Sequence, residues 1–401
     1  MNLIKAKKLI FDFGINILAS FAITVTLQIL IYPLIAKNVS IETYGIILTI
    51  MGIVNTIIVA LGNTLNNVRL VQNQDYESRK ELGDFNIILI ATSIVGVIIS
   101  IIVMLTLKNI SILNILLITL SIVFGIARSY YLVGYRINLN FLFNLYCNLV
   151  ISLGYLIGFV IFHYTNIWSV IFLIGEIFGC FFLFLTTDVV REPLKITTIF
   201  RKTLSKYFIL IATGAMATIL TYMDRLIIFP VLGGEAVSTF TVASFFGKTI
   251  GMVMIPISGV LLGYYSQKSF KFTIKIFWLI NIVIIVFSAI FFAVSLVLSS
   301  WVTKLLYPTL FESAKEYIII ANLAAIIGMI SNITQPSVLK FAPMFWQLII
   351  QGIYSIIYIG LGTFMLKLYG IYGFCVGIMI ANVFKLILLY IIGNFYIKRG
   401  I

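Results

Sequence analysis

The sequence predicts an all-α, polytopic membrane protein, and three observations lead there. The 401 residues are 62% hydrophobic and only 10% charged, with a mean hydropathy of +1.15. Apolar runs of the length a bilayer demands, about 20 residues, recur along the whole chain. The polar stretches between them are short. The longest runs from Asp188 to Lys206, whereas an independent soluble domain needs roughly 50 residues or more. Any chemistry therefore belongs within or between membrane helices.

About twelve segments meet the length criterion. The first six run near 12–36, 43–66, 85–107, 111–134, 138–162 and 167–187. The second six run near 207–232, 237–263, 274–299, 313–333, 345–366 and 370–394. Lys5, Lys7 and Lys8 precede the first run, which stays apolar to Ala36 without a small-residue cleavage site. It reads as a retained helix, not a signal peptide. Segment 188–206 is a linker between an N-terminal six-helix bundle, 1–187, and a C-terminal one, 207–401. An echo supports duplication: Tyr32-Pro33-Leu34-Ile35 closes the first helix of one half and Phe229-Pro230-Val231-Leu232 that of the other. Repeats of this kind let many transporters build a central site between two halves.

Charge sets the orientation. Of 27 Lys and Arg residues, eighteen fall on one side when the N-terminus is placed in the cytoplasm, including Arg69, Arg79, Lys80, Arg136, Arg191 and Lys202. Only Lys37, Lys108, Lys304, Lys315 and Lys367 fall in the outer loops, so both termini are expected in the cytoplasm. The net charge of +14 thus reports topology and implies no nucleic-acid partner. Cys147, Cys180 and Cys375 lie in apolar segments without ligand spacing, and His163 is the sole histidine. Neither a disulfide framework nor a metal site is expected, and no catalytic residue or cofactor is predicted.

The remaining four basic residues, Arg128, Arg225, Lys248 and Lys385, lie inside apolar runs, with Glu176 and Asp224 as the acids available there. A basic residue at the centre of a spanning helix costs about 2.5–3.5 kcal/mol on insertion scales, which makes each a candidate for function. Asn16, Ser20, Thr24 and Gln28 recur every fourth residue on the first helix, and Gly52, Asn55, Thr56, Gly62, Asn63 and Asn66 continue the idea on the second. Such stripes line a hydrated cavity or mediate helix packing. On the seventh helix Gly214, Thr218, Thr221 and Arg225 share a narrow sector, with Asp224 turned about 100° away. Lys248 shares a face with Thr241, Ser244 and Gly251.

Basic groups outnumber acids here, so pairing does not neutralise them all. An anionic cargo suits the surplus, and arginine's fork matches phosphate or pyrophosphate. The competing reading has Arg128 and Lys385 snorkel to the cytoplasmic face and Arg225 pair with Glu176 or Asp224. Candidate cargo contacts are Arg225, Lys248, Arg128, Asn16, Gln28 and Asn55, with Asp224 and Glu176 as coupling candidates. Phe246-Gly247-Lys248-Thr249 resembles the end of a phosphate-binding loop, but its required earlier glycine is Val242.

Three stretches carry a family resemblance. They are Tyr44-Gly45, then Tyr222-Met223-Asp224-Arg225-Leu226 followed by Leu232-Gly233 and Phe240, then Leu305-Leu306-Tyr307 followed by Phe311 and Ala314. Through them the chain resembles the O-antigen and capsule repeat-unit flippases (Wzx-type) of the multidrug/oligosaccharidyl-lipid/polysaccharide exporter superfamily. Family members often have glycine after the last aromatic, where this chain has Pro308. The resemblance implies a MATE/MOP-like fold in the bacterial cytoplasmic membrane. It implies a cargo of undecaprenyl-pyrophosphate-linked oligosaccharide, flipped to the outer leaflet by alternating access around a cationic cavity. Membrane lipid and the polymerase and chain-length proteins of the pathway are the implied partners. Two alternatives stay open. A multidrug exporter of the same superfamily carries cations, which the positive surplus disfavours. A membrane polysaccharide polymerase or ligase generally needs a sizeable outer loop, and the outer loops here are a few residues long.

Overall fold

A bilayer offers no water to a backbone N–H or C=O, so a spanning segment must satisfy its own hydrogen bonds. In a computed structural model the protein is accordingly 89% helical, with no strand among the described residues. The structure describes residues 14–399, apart from 16, 108–109, 250, 253–257, 259–260, 262–264, 266–271 and 344; the side chains of 212–217 and 399 are also outside it. Among the described residues ten helices are long and apolar enough to cross a membrane. They are α1 (Ile17–Asn38), α2 (Ile41–Arg79), α3 (Phe85–Thr106), α4 (Ile112–Ile137), α5 (Phe141–Thr165) and α6 (Ser169–Thr186). Then follow α7 (Phe200–Ala243), α8 (Ile274–Leu306), α9 (Ile318–Phe341) and α10 (Phe345–Arg399).

Three departures from the expected spans have local causes. The second helix continues past its apolar stretch to Arg79 because Leu65, Val68, Arg69, Gln72 and Tyr76 are all buried along it. It stops at Lys80, which takes the left-handed conformation at φ 53°. The eleventh and twelfth expected spans join in α10 across a bend at Tyr369 and Gly370, where φ is 60° at the glycine. Likewise α7 bends at Gly233, with φ 81°, where the seventh and eighth expected spans meet. A side chain with a Cβ rarely adopts such angles, so glycine permits both bends. In α1 the π-turn Thr26–Ile31 directly precedes Tyr32-Pro33, where proline lacks the N–H that would continue the α-helical ladder.

The chain forms two compact units. Unit 1 comprises Met1–Asn38 and Ile50–Tyr222, and unit 2 comprises Val39–Thr49 and Met223–Ile401. In unit 1, Gly154 of α5 faces Gly175 of α6 and Gly158 faces Ile171. A Cβ on Gly154 would lie 2.9 Å from the Gly175 Cα, and one on Gly158 would lie 2.7 Å from the Ile171 Cα. Small residues four apart let helix backbones approach in this way inside a membrane. In unit 2, α9 and α10 pack through Val338, Ala342, Ile350, Leu389 and Ile392, with Trp346 and Tyr396 closing the cluster.

The start of α2 packs on α7 within unit 2 just as closely. A Cβ on Gly45 would sit 1.7 Å from the Gly234 carbonyl oxygen, and the Ser238 hydroxyl donates to the Ile41 carbonyl at 2.6 Å. The Tyr44 and Tyr307 rings meet at 6.3 Å and Phe245 meets Tyr307 at 5.4 Å. The three stretches behind the family resemblance thus converge here as a packing arrangement.

Candidate functional site

Helix α7 carries Asp224 and Arg225 into the interior of unit 2, where they are 4% and 8% exposed. Adjacent helical positions diverge, and the two side chains find different partners. The Lys248 ammonium donates to Asp224 Oδ2 and lies 4.5 Å from the centre of the Phe240 ring. Arg225 donates through Nη1 to the Leu48 carbonyl of α2 at 2.8 Å. The pair is lopsided: the Lys248 side chain is 31% exposed, whereas that of Asp224 is 5% exposed. Asp224 Oδ1 has no hydrogen bond. A shielded carboxylate therefore holds an ammonium whose other face remains accessible.

Lys385 of α10 is a third basic residue set within an apolar span of unit 2. It is 5% exposed, so it does not snorkel. Its Nζ donates to Asn332 Oδ1 at 3.2 Å and sits 4.8 Å from the Tyr354 ring centre.

Unit 1 uses its charges otherwise. Arg128 of α4 donates through Nε to Glu176 Oε2 at 2.5 Å and through Nη2 to Oε1 at 3.1 Å. Tyr155 adds an O–H bond to Oε1 at 3.3 Å. Gly179 makes the approach possible, since a Cβ there would lie 2.6 Å from Arg128 Cδ. Arg128 is therefore turned into the helices of unit 1, and its fork is engaged by Glu176. Of the two acids that the sequence places inside apolar runs, Glu176 is held by Arg128 and Asp224 by Lys248.

The polar stripes divide between packing and exposure. Gln28 lies half-buried in the π-turn of α1, Asn55 is half-buried on α2, and Asn16 lies outside the described residues. The Thr24 and Thr56 hydroxyls bond to carbonyls of their own helices. Asn66 donates to the Ser129 carbonyl at 2.9 Å, joining α2 to α4. The phosphate-loop echo is likewise structural, with Gly247 N donating to Asn322 Oδ1 at 2.7 Å.

Sequence reasoning missed one charged cluster. Arg69 reads as a loop cation and Glu192 as part of a polar linker, yet Arg69 Nη2 donates to Glu192 Oε1 at 2.7 Å with both side chains under 10% exposed. Nearby, Asp84 is fully buried and receives the Tyr76 hydroxyl and both the N–H and hydroxyl of Thr197. The apolar spacing of Leu65, Val68 and Tyr76 was the available signal that the helix, and burial with it, continues past residue 66.

Against this geometry the similarities of the chain can be read. No family model and no curated protein matches it. Among solved structures it is similar to lipid II flippase MurJ in an inward closed conformation, with TM-score 0.72 and 18% identity over 97% of this chain and 89% of that one. It is similar to a point mutant of the Vibrio cholerae MATE transporter VcmN, with TM-score 0.64 and 15% identity over 98% and 97%. An outward-facing multidrug resistance MATE family transporter of the MOP superfamily aligns with TM-score 0.61 and 12% identity over 97% and 96%. The chain thus has the MurJ and MATE fold, that of multi-pass membrane transporters and flippases.

Proposed function

We propose that the protein is a flippase for undecaprenyl-pyrophosphate-linked oligosaccharide repeat units, serving O-antigen, capsule or another surface polysaccharide. It works by alternating access in the bacterial cytoplasmic membrane. The observation that carries the reading is the charge inventory of unit 2. Among the described residues, the apolar interior of its helices holds Arg225, Lys248 and Lys385 against Asp224, and the Lys248 ammonium is partly accessible. An anionic headgroup suits the accessible face of that ammonium, in a setting where basic side chains outnumber acids. Arg225 and Lys248 are assigned to the pyrophosphate or acidic sugars, and Gln28, Asn55 and Asn16 to the sugar hydroxyls. The likeness to a lipid II flippase in fold supports a lipid-linked cargo. Arg128 contributes to cargo binding only where Glu176 releases its fork, so the two act together or as a structural pair. Asp224, with one oxygen unpaired, is the better coupling candidate of the two acids.

The test is complementation of a flippase-deficient strain, with membrane abundance measured in parallel. Lys248→Ala alone strands Asp224 in a buried site, so the informative variant is Asp224→Asn with Lys248→Met. We expect normal abundance and loss of surface polysaccharide, and Arg225→Lys to retain charge while losing the fork. Normal polysaccharide from both Arg225→Ala and the double variant would falsify the cargo role. The multidrug-exporter reading rests on the MATE likeness and predicts altered drug susceptibility in the deletion strain, with polysaccharide intact.

A further inference from the structure

Away from the membrane-embedded charges, unit 1 contains a cavity of about 550 Å³ at the end where α2, α4 and the segment after α6 meet. Arg69, 5% exposed, lines its inner wall. The guanidinium lies 5.3 Å from the Tyr76 ring centre and 5.0 Å from that of Phe85, and Nη2 binds Glu192. Nε and Nη1 have no acceptor, and neither does Glu192 Oε2 have a donor. One turn along α2, Gln72 is fully buried with both amide atoms unpartnered. Burial holds the Glu192 carboxyl above the usual carboxylate range even though Arg69 pulls it down. Buried polar groups in native proteins are nearly always satisfied, so Arg69 and Glu192 on the cavity wall offer donors and an acceptor to something that enters.

The rim sets what enters. Lys80 and Arg191 are exposed at the cavity mouth, and so are Glu77 and Asp188. A simple anion meets Glu77, Asp188 and the half-buried Glu81 there, with Glu192 further in, and a simple cation meets Arg69, Lys80 and Arg191. A molecule carrying both signs a few ångströms apart satisfies both sets. We propose that this cavity binds an amino-phosphate of the ethanolamine-phosphate type. The phosphate lies toward Arg69, Lys80 and Arg191, and the primary ammonium lies against Glu77 and Asp188. A phospholipid headgroup and a free amino-phosphate share this chemistry. The site is separate from the charges assigned to cargo and stands whether or not the protein is a flippase.

The test is calorimetric titration of the purified full chain with phosphoethanolamine, inorganic phosphate, ethanolamine, and short-chain phosphatidylethanolamine and phosphatidylcholine. Phosphoethanolamine binds at least tenfold more tightly than inorganic phosphate or ethanolamine alone, the increment of one charge-assisted contact. Lys80→Gln with Arg191→Gln weakens phosphoethanolamine and phosphate alike by roughly tenfold. Glu77→Gln with Asp188→Asn weakens phosphoethanolamine but not phosphate. These are exposed positions, so the variants keep the fold, whereas Arg69→Lys is checked first by circular dichroism. Tighter binding of the short-chain phosphatidylethanolamine than of phosphoethanolamine assigns the lipid source, and equal or weaker binding assigns the soluble one. Phosphatidylcholine, whose quaternary ammonium donates no N–H, binds more weakly than phosphatidylethanolamine. Absence of binding, phosphate binding as tightly as phosphoethanolamine, or rim variants that bind like the wild type each overturn the proposal.

Discussion

Both units bury an acid–base pair in their helices, and the two pairs are built for different ends. In unit 1 Arg128 and Glu176 meet through two N–H···O contacts, with Tyr155 as a third donor, and both side chains are 15% exposed or less. One cation meets one anion and the geometry is bidentate. In unit 2 Asp224 holds Lys248 through a single oxygen and the lysine is partly accessible, while Arg225 reaches the Leu48 carbonyl and Lys385 the Asn332 side chain. Desolvation makes a buried charge costly unless its partner is well placed. A closed pair meets that demand by itself, while the half-open Lys248 leaves a face for the anionic cargo proposed above.

The largest expected effect breaks the closed pair. Glu176→Gln leaves Arg128 uncompensated and destabilises the protein by about 3–5 kcal/mol, read as lost membrane abundance and a lower Tm. Arg128→Met with Glu176→Leu recovers most of it, because an apolar pair of similar volume carries no such penalty. Should Glu176→Gln be as stable as the wild type, the contrast between the units collapses. Next, Gly45→Ala forces a methyl against the Gly234 carbonyl and costs about 1–3 kcal/mol by overpacking, measured by thermal unfolding in detergent. Asp224→Asn costs less, about 1–2 kcal/mol, since the Lys248 head can swing toward water. Its transport defect in the complementation assay therefore exceeds its change in Tm. The smallest effect is that of Lys385→Met. With only Asn332 and a ring beside it, the lysine leaves no acid stranded, and Tm moves by less than about 1 kcal/mol equivalent.

Helix type and the membrane location were legible because both follow from local hydropathy, which needs no knowledge of neighbours. The joints were harder to read. Nothing in composition says that α10 bends at Gly370 or that α2 stays helical to Arg79; those depend on φ at one residue and on burial supplied by other helices. Among the site residues, the divergence of Asp224 from Arg225 was readable from helical geometry. The partners were not: Lys248 lies 24 residues from Asp224 and Glu176 lies 48 from Arg128, so only tertiary packing brings them together. The Arg69–Glu192 contact, spanning 123 residues, was hidden for the same reason, with the added disguise that both residues sit in stretches that look solvated.

Unit 2 includes the opening turns of α2, Val39–Thr49, and this bears on how the chain is made. Gly45 seats on Gly234, which the ribosome reaches roughly 190 residues later, about 10–40 s at ordinary synthesis rates. During that interval the first turns of α2 are inserted without the surface they are shaped to meet, so the nascent chain must tolerate a half-docked helix. A split of the gene between the two apparent halves, near residue 190, would put Gly45 and Gly234 on separate polypeptides. Assembly of unit 2 would then become a bimolecular event, limited by how often two fragments meet in the membrane.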